Sequence, residues 1–239
     1  MIKSKKVYSF VFARKGSKGL KNKNLKKFKN KQFIYYSWKL FKKSRYIDKI
    51  FLSTDSEKLM KVAKKIGLKV PFKRPNFLSR DGSPELNAWK HIIRSLKHEG
   101  DDFDIFVSLP LSNPIKPTKY FNKALIHFEK NKFDMLMCIS KIKYNPDYNI
   151  VTKKGKFIEK FNETTKAYQR QMAKQAYSIN PMFYIATKNF IKKTSNLNSG
   201  KIGYFEIPNE INYDIDTIED LNQLKKVSNK TLKKYKFYD

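Results

Sequence analysis

Val7-Tyr8-Ser9-Phe10-Val11-Phe12, followed by Ala13-Arg14-Lys15-Gly16-Ser17-Lys18-Gly19-Leu20-Lys21-Asn22-Lys23-Asn24, is the stretch that decides how this chain folds. An apolar run rich in aromatic and β-branched residues reads as a strand. The loop that leaves it contains glycines and cations, and it precedes a helix-like segment over Phe33–Phe41. Such a loop lies at the carboxyl end of the first strand of an α/β domain. It suits phosphate for two reasons: glycines let successive backbone N–H groups turn toward an anion, and nearby cations supply charge. With Arg14, Lys18 and Lys23 all within ten residues, a triphosphate is a fitting guest. The spelling is neither a Walker loop nor the Rossmann G-x-G-x-x-G. A solvated basic loop in a lysine-rich protein is the plain alternative.

Outward from this loop, strand-like and helix-like segments alternate. Ile50–Ser53 reads as strand and Glu57–Ile66 as helix. Lys69–Phe72 reads as a short strand, Pro84–Leu96 as helix and Ile105–Leu109 as strand. Thr118–Phe128 is a helix and Asp134–Ile139 a strand. The alternation predicts a mainly parallel sheet covered on both faces, with ligands gathered at the carboxyl ends of the strands. After Ser140 the pattern changes. Tyr148–Val151 and Phe157–Phe161 flank a Lys153-Lys154-Gly155-Lys156 turn and suggest a hairpin-like excursion over residues 141–178, whereas Asn162–Gln175 reads poorly as sheet. Regular structure resumes at Met182–Ala186 and Gly203–Ile207, and Ile218 to Val227 is an amphipathic helix.

The 239 residues are 40% hydrophobic and 15% aromatic, enough for one α/β domain over residues 1–239. Mean hydropathy is −0.65. A formal charge of +31 invites a nucleic-acid reading, but only six of the 52 basic residues are Arg (14, 45, 74, 80, 94 and 170). Base readout and bidentate phosphate grip favour Arg, so specific nucleic-acid recognition is disfavoured. Where Lys is the default cation, an Arg marks a place needing a planar fork. The single Cys138 sits in the apolar run Met135–Ile139, excludes an internal disulfide and suggests a reducing compartment. No signal peptide or membrane-length apolar run is visible, and a cytoplasmic protein is expected.

Asp214-Ile215-Asp216 is the best metal candidate. If this segment is extended, both carboxylates share one face, and hard oxygen donors beside a triphosphate suit Mg²⁺. The competing reading makes Asp216 the N-cap of the following helix, with Glu219 at N3. Arg74-Pro75 and Ser79-Arg80-Asp81-Gly82-Ser83 form either a nucleotide-binding stretch or a polar loop ending in a Ser83-Pro84-Glu85 helix start. Ser53-Thr54-Asp55-Ser56 is accounted for by capping. His91, His98 and His127 lie in helix-like segments without partner spacing. Neither a Ser/His/Asp nor a Cys/His set is apparent, which disfavours covalent catalysis.

The loop ARKGSKGLKNKN resembles the amino-terminal signature of the acylneuraminate (CMP-sialic acid) cytidylyltransferases, matching at Arg14, Ser17, Lys18, Gly19, Lys23 and Asn24. Ser53-Thr54-Asp55, Arg74-Pro75 with Asp81 and Ser83, Ser112-Asn113-Pro114 and Asp214-Ile215-Asp216-Thr217 extend the likeness in order along most of the chain. The resemblance implies a three-layer α/β/α nucleotidyltransferase-like (Rossmann-like) fold with a mixed, mainly parallel sheet. It also implies an excursion that dimerises and closes the neighbour's sugar pocket, and a CTP-dependent activation of a 2-keto sugar acid. Ala13, Arg14, Ser17, Lys18, Lys23, Asn24, Arg74 and Ser83 would bind the nucleotide. Arg14, Lys18 and Lys23 would also act in catalysis with Asp214 and Asp216, which would hold Mg²⁺. Arg170, Gln171, Tyr177 and Asn180 would meet the sugar acid.

The sugar side departs from the pattern. The family's L-Q-P-T-S-P-L-R, whose Gln touches the sugar, is here Leu109-Pro110-Leu111-Ser112-Asn113-Pro114-Ile115-Lys116. Y-R-P-N-G-A-I-Y is Tyr177-Ser178-Ile179-Asn180-Pro181-Met182-Phe183-Tyr184. A relative of sialic acid is therefore as admissible as sialic acid itself. An eight-carbon keto acid, another nucleotide or a non-catalytic basic binding protein are the alternatives.

Overall fold

The computed structural model describes residues 2–17, 19–163, 167 and 169–237. Its strands and helices, in chain order, begin with β1 (Val7–Phe12), a two-rung ladder of β2 (Lys27–Phe28) and β3 (Lys31–Gln32), and α1 (Phe33–Lys43). β4 (Lys49–Ser53), α2 (Glu57–Lys65), α3 (Glu85–His98), β5 (Ile105–Ser108) and α4 (Thr118–Asn131) follow. After β6 (Met135–Lys141) come β7 (Val151–Lys154), β8 (Phe157–Lys160), β9 (Tyr177–Thr187), α5 (Lys188–Lys193), β10 (Ile202–Glu206), α6 (Ile218–Lys225) and α7 (Asn229–Lys234).

Six strands form one sheet in the order β10-β6-β9-β5-β1-β4. All neighbours are parallel except β9, which runs antiparallel to both β5 and β6. Side chains alternate between two cores, as a doubly covered sheet requires. Val7, Val11, Leu52, Val107 and Leu136 face the helices α1, α2, α4 and α6. Tyr8, Phe10, Phe51, Phe106 and Met137 face α3 and α5. This second core is aromatic: Phe10 stacks on Phe106 at 4.6 Å, and Trp89 of α3 lies 4.9 Å from Phe106. The fold is thus a three-layer α/β/α, mainly parallel architecture.

Four local readings needed revision. Lys69–Phe72 contributes only isolated parallel bridges at Phe51–Lys69 and Thr54–Lys73, because Pro71 has no N–H to extend a ladder. β9 starts at Tyr177, five residues before the expected start. Pro181 had masked this: it sits where the β6 register slips between Met137 and Cys138, and a bulge tolerates the missing donor. The N-cap of α6 is Thr217, not Asp216, in a capping box with Asp220, not Glu219, at N3. Finally, α7 extends the chain's helical structure beyond Val227.

The 141–178 segment leaves the sheet at Lys141 and returns at Tyr177, which pairs with it. Between them β7 and β8 pair only with each other.

Candidate active site

The carboxyl ends of β1 and β5 and the segment that leads into α3 open onto a cavity of about 500 Å³. Phe12, Arg14, Ser17, Gly19, Leu20, Lys23 and Asn24 form its first wall, and Arg74, Leu78, Arg80, Gly82, Ser83, Glu85 and Ala88 the second. Pro110, Leu111, Ser112 and Asp216 complete it. Sequence-expected residues Arg14, Ser17, Lys23, Asn24, Arg74, Ser83 and Asp216 therefore meet in one place. Lys18 lies outside the described residues.

The loop after β1 is shaped by contacts that leave few alternatives. Ala13 is buried and its N–H donates to the Ser53 carbonyl at 3.1 Å, continuing the sheet by one residue. Asn24 Nδ2 donates to the Arg14 carbonyl at 3.0 Å and closes the loop on itself. Asn22 adopts the left-handed conformation (φ 57°), which a short amide side chain tolerates, and turns Lys23 and Asn24 inward. Gly19 is required by close approach: a Cβ there would sit 2.4 Å from the Asp216 carbonyl oxygen. The amino-terminal loop and the acid loop thus touch through backbone and through side chain, since Lys23 Nζ meets Asp216 Oδ1 at 2.7 Å.

Arg14 is ion-paired with Asp81 at 2.5 Å, so Arg14 and Lys23 both hold carboxylates. Arg74 is only 5% exposed; burial pushes its guanidinium pKa down, while Asp55 at 3.8 Å and Glu85 favour its charge. Its Nε donates to Ser79 Oγ at 2.9 Å and its N–H to the Thr54 carbonyl at 2.9 Å, fixing the second wall to the end of β4. Asp55 also accepts from the Lys15 N–H at 2.7 Å. Capping alone had accounted for the Ser53–Ser56 stretch, so this tie between the two walls was not anticipated.

Ile215 is fully buried and donates its N–H to the Ser112 carbonyl at 2.9 Å, while Asp214 and Asp216 on either side face outward. That alternation turns both acids to the same side. With Thr217 as the cap, Asp216 is free of capping duty. Burial pushes the Asp214 carboxyl up; a hydrogen bond with Ser112 works against it, and neighbouring Asp216 adds to it. Asp216 lines the cavity and Asp214 does not; two hard carboxylates one residue apart fit Mg²⁺, which takes one or two carboxylates and completes its shell with phosphates and water. Among the described residues there is no cluster of three or more His, Cys, Asp and Glu that would make an all-protein metal cage.

The residues expected at the sugar acid are dispersed. Arg170, Gln171 and Tyr177 are exposed and do not line the cavity. Asn180 is fully buried in an amide network: its Oδ1 accepts from Asn113 at 3.1 Å, and its Nδ2 donates to Asn212 and, at 3.4 Å, to the Tyr213 carbonyl. Asn212 in turn donates to Ser140 at 2.6 Å. Asn180 thus anchors the acid loop to β9. Two further residues escaped the sequence reading. Lys116 is buried beneath the loop after β5, and Glu85 stands in the cavity wall as the first residue of α3. Tyr184 lies behind them, its phenol pushed up by burial and by the Glu85 and Asp214 carboxylates. Cys138 is buried and its thiol pushed up by burial, an inert core position.

Comparison with known proteins is consistent across the chain. The cytidylyltransferase family model matches residues 9–238. A CMP-N,N'-diacetyllegionaminic acid synthase of Campylobacter jejuni is 30% identical over 227 residues, covering 92% of this chain and 96% of that one. Post-translational flagellin modification protein B of Campylobacter coli is 29% identical over 209 residues, covering 87% and 88%. A solved CMP:2-keto-3-deoxy-manno-octonic acid synthetase in complex with CTP shares the fold, with a TM-score of 0.68 over 92% of this chain and 97% of that chain at 15% identity. A cation loop locked to an acid loop across a nucleotide-sized cavity and a match spanning nearly the whole chain lead to one assignment: this chain belongs to the cytidylyltransferase family and is a nucleotidyltransferase.

Proposed function

We propose that the chain transfers CMP from CTP to the anomeric hydroxyl of a nonulosonic, sialic-acid-like 2-keto acid, with release of pyrophosphate. The observation that carries this reading is the Lys23–Asp216 contact packed against Gly19, which joins a phosphate loop to an acid pair, of which Asp216 lines the cavity. The hydroxyl attacks the α-phosphorus in line, and the protein's task is positioning and charge neutralisation. Arg14 and Lys23 exchange Asp81 and Asp216 for phosphate oxygens and hold the departing pyrophosphate, joined by Lys18. That exchange releases Asp216 to act with Asp214. Mg²⁺ held there would polarise the α-phosphate and lower the pKa of the attacking hydroxyl. Arg74, Ser83 and Asn24 line the nucleotide, with Ser17 and the Ala13 backbone at the phosphate end.

The name of the Campylobacter jejuni relative, a CMP-N,N'-diacetyllegionaminic acid synthase, supports a nonulosonate acceptor. The carboxylate of that acid would be met by Arg170, with Gln171 and Tyr177 beside it. These residues lie away from their own cavity, so the reading places them in the acceptor site of a second copy in a homodimer. A cytoplasmic location is supported by the free, buried Cys138. No helix among the described residues is long and apolar enough to cross a membrane.

The test is pyrophosphate release with Mg²⁺ and CTP across N-acetylneuraminic, legionaminic, pseudaminic and eight-carbon keto acids, with Asp214→Ala alongside. Release with one nonulosonate, falling at least about 10³-fold in the variant, is expected. Silence with every nonulosonate while CTP still binds would sink the acceptor assignment and leave the nucleotide site standing.

A further inference from the structure

The cavity meant for a polyanion contains a carboxylate that nothing in it explains. Two acids line it, Asp216 and Glu85. Asp216 is answered by Lys23. Glu85 has no ion pair within 4 Å among the described residues, and its hydrogen-bond partner is Trp89, whose Nε1 donates to Oε1 at 3.1 Å. An acid in the first turn of a helix is ordinarily satisfied by pointing into solvent near the helix N-terminus. Here a neighbour one turn on holds it in place instead. Trp89 is 1% exposed and wedged against Phe106, with Phe12 and Tyr184 each at 6.1 Å. Glu85 is thereby fixed on the cavity wall, and among the described residues its Oε2 has no hydrogen-bond or ion-pair partner.

A carboxylate beside phosphates is repulsive, and the charge that acts on Glu85 is that of Arg74, not of Lys23 or Asp216. Arg74, Ser83, Leu78, Ala88 and Phe12 line the same cavity, and the Phe12 ring lies beside Trp89. Apolar and aromatic faces of this kind suit a flat base. A carboxylate accepts hydrogen bonds and cannot donate them, so it selects for a donor on the ligand. The cytosine ring presents one strong donor, its exocyclic amino group, where uracil presents a carbonyl oxygen.

We propose that Glu85 is the base-selecting residue of this enzyme: its free carboxylate oxygen accepts from the exocyclic amino group of cytosine and repels the carbonyl that uracil puts in the same place. The proposal rests on the CTP reading above. Water now reaches the carboxylate through the cavity mouth, although the surrounding protein already pushes its pKa up. A bound base expels that water, and the charge is then held by Trp89 and by whatever donor the base offers. A base that offers an acceptor instead leaves the carboxylate unanswered, which is the costly case.

Calorimetric titration of the full chain with CTP and UTP, before and after Glu85→Gln, tests this without requiring an acceptor acid. The wild-type chain is expected to prefer CTP by about ten- to a hundredfold, the size of one good base contact. In E85Q the amide can present either a donor or an acceptor, and the preference should shrink to less than about threefold, chiefly because UTP binds better, with unchanged thermal stability. An E85Q chain that keeps the wild-type preference overturns the proposal. So does one that loses affinity for both nucleotides equally, the mark of a ribose contact or a structural role. A wild-type chain that binds neither nucleotide fails earlier and sinks the cytidylyl-transfer reading itself.

Discussion

The nucleotide side and the acceptor side of this molecule are built differently. The proposed nucleotide side has its walls in one chain: they follow β1 and β5 and lead into α3, and each is fastened to another segment by a named bond, Ala13 to Ser53, Arg74 to Thr54, Ile215 to Ser112. On the acceptor side, Arg170, Gln171 and Tyr177 sit on or beside an excursion whose two strands pair only with each other. An isolated two-stranded hairpin is marginal in water, and this one exposes Val151, Phe157, Ile158 and Phe161, with Met172 nearby. Apolar surface of that extent suits the proposed homodimer, in which it would be covered. If the proposed function holds, the contrast teaches that chemistry common to all acceptors would be fixed to the sheet, while groups that choose the acceptor would ride on chain lacking a core of its own.

Breaking the nucleotide side should have the largest effect. Gly19→Ala places a methyl 2.4 Å from the Asp216 carbonyl oxygen, so one loop must move by about an ångström. Lys23 and Asp216 then lose register, and misplacement of that size costs about 10²-fold in turnover. Melting should drop by about 2–8 °C for a strain of about 1–2 kcal/mol in a chain of this size. Unchanged steady-state kinetics in this variant would show that the packed junction is not what aligns the site. Breaking the acceptor side should be milder and selective. Phe157→Ser with Ile158→Ser removes two side chains that are each 68% exposed, so the fold of one chain has little to lose. If the chain forms the proposed homodimer and a partner's excursion supplies the acceptor contacts, light scattering should report a weaker dimer and the KM for the acid should rise by about tenfold, while CTP affinity stays put. A variant still dimeric with an unaltered KM would return the acceptor site to a single chain.

The same contrast governs how much of the molecule was legible from its sequence. The sheet and its helices were readable because burial on both faces imposes long apolar runs, such as Ile105–Leu109, and helix-spaced ones, such as Leu59, Val62, Ala63 and Ile66. The phosphate loop was readable because glycines and cations crowd into twelve residues. What escaped was set by tertiary contact. Pro181 looked like a break in a strand, and only the slip on β6 shows why it is tolerated. Thr217 and Asp216 are equally good caps on paper; the approach of Lys23, 193 residues earlier in the chain, draws Asp216 the other way. Asn180 carries the same spelling as a ligand-binding residue, yet three neighbours from distant segments enclose it. Glu85 was unremarkable as a first-turn acid until Trp89 was found holding it in the cavity.

Lys116 sits where the two sides join, and its effect, on stability rather than turnover, should be the most diagnostic of that junction. It is 6% exposed, and its ammonium donates to the Pro110 carbonyl at 2.7 Å and to the Asn113 carbonyl. Pro110 belongs to the nucleotide cavity and Asn113 to the amide network around Asn180. Burial pulls its pKa from 10.5 down to about 7, while the Asp214 carboxylate works in the opposite direction. The folded value lies below the unfolded one, so between about pH 7 and 10.5 the unfolded chain binds the extra proton. Stability therefore rises with pH across that window and is indifferent to this group below it. From pH 7 to 9 the gain is on the order of 2–3 kcal/mol. Urea unfolding at both pH values should show it, and Lys116→Met should abolish the rise, at the expense of two unanswered carbonyls and lower stability at pH 9. Equal slopes in the two chains would mean that the carbonyls and Asp214 keep Lys116 charged throughout. The junction would then be an ionic clamp on the acid loop, and Asp214→Asn, rather than pH, would be the change that loosens it.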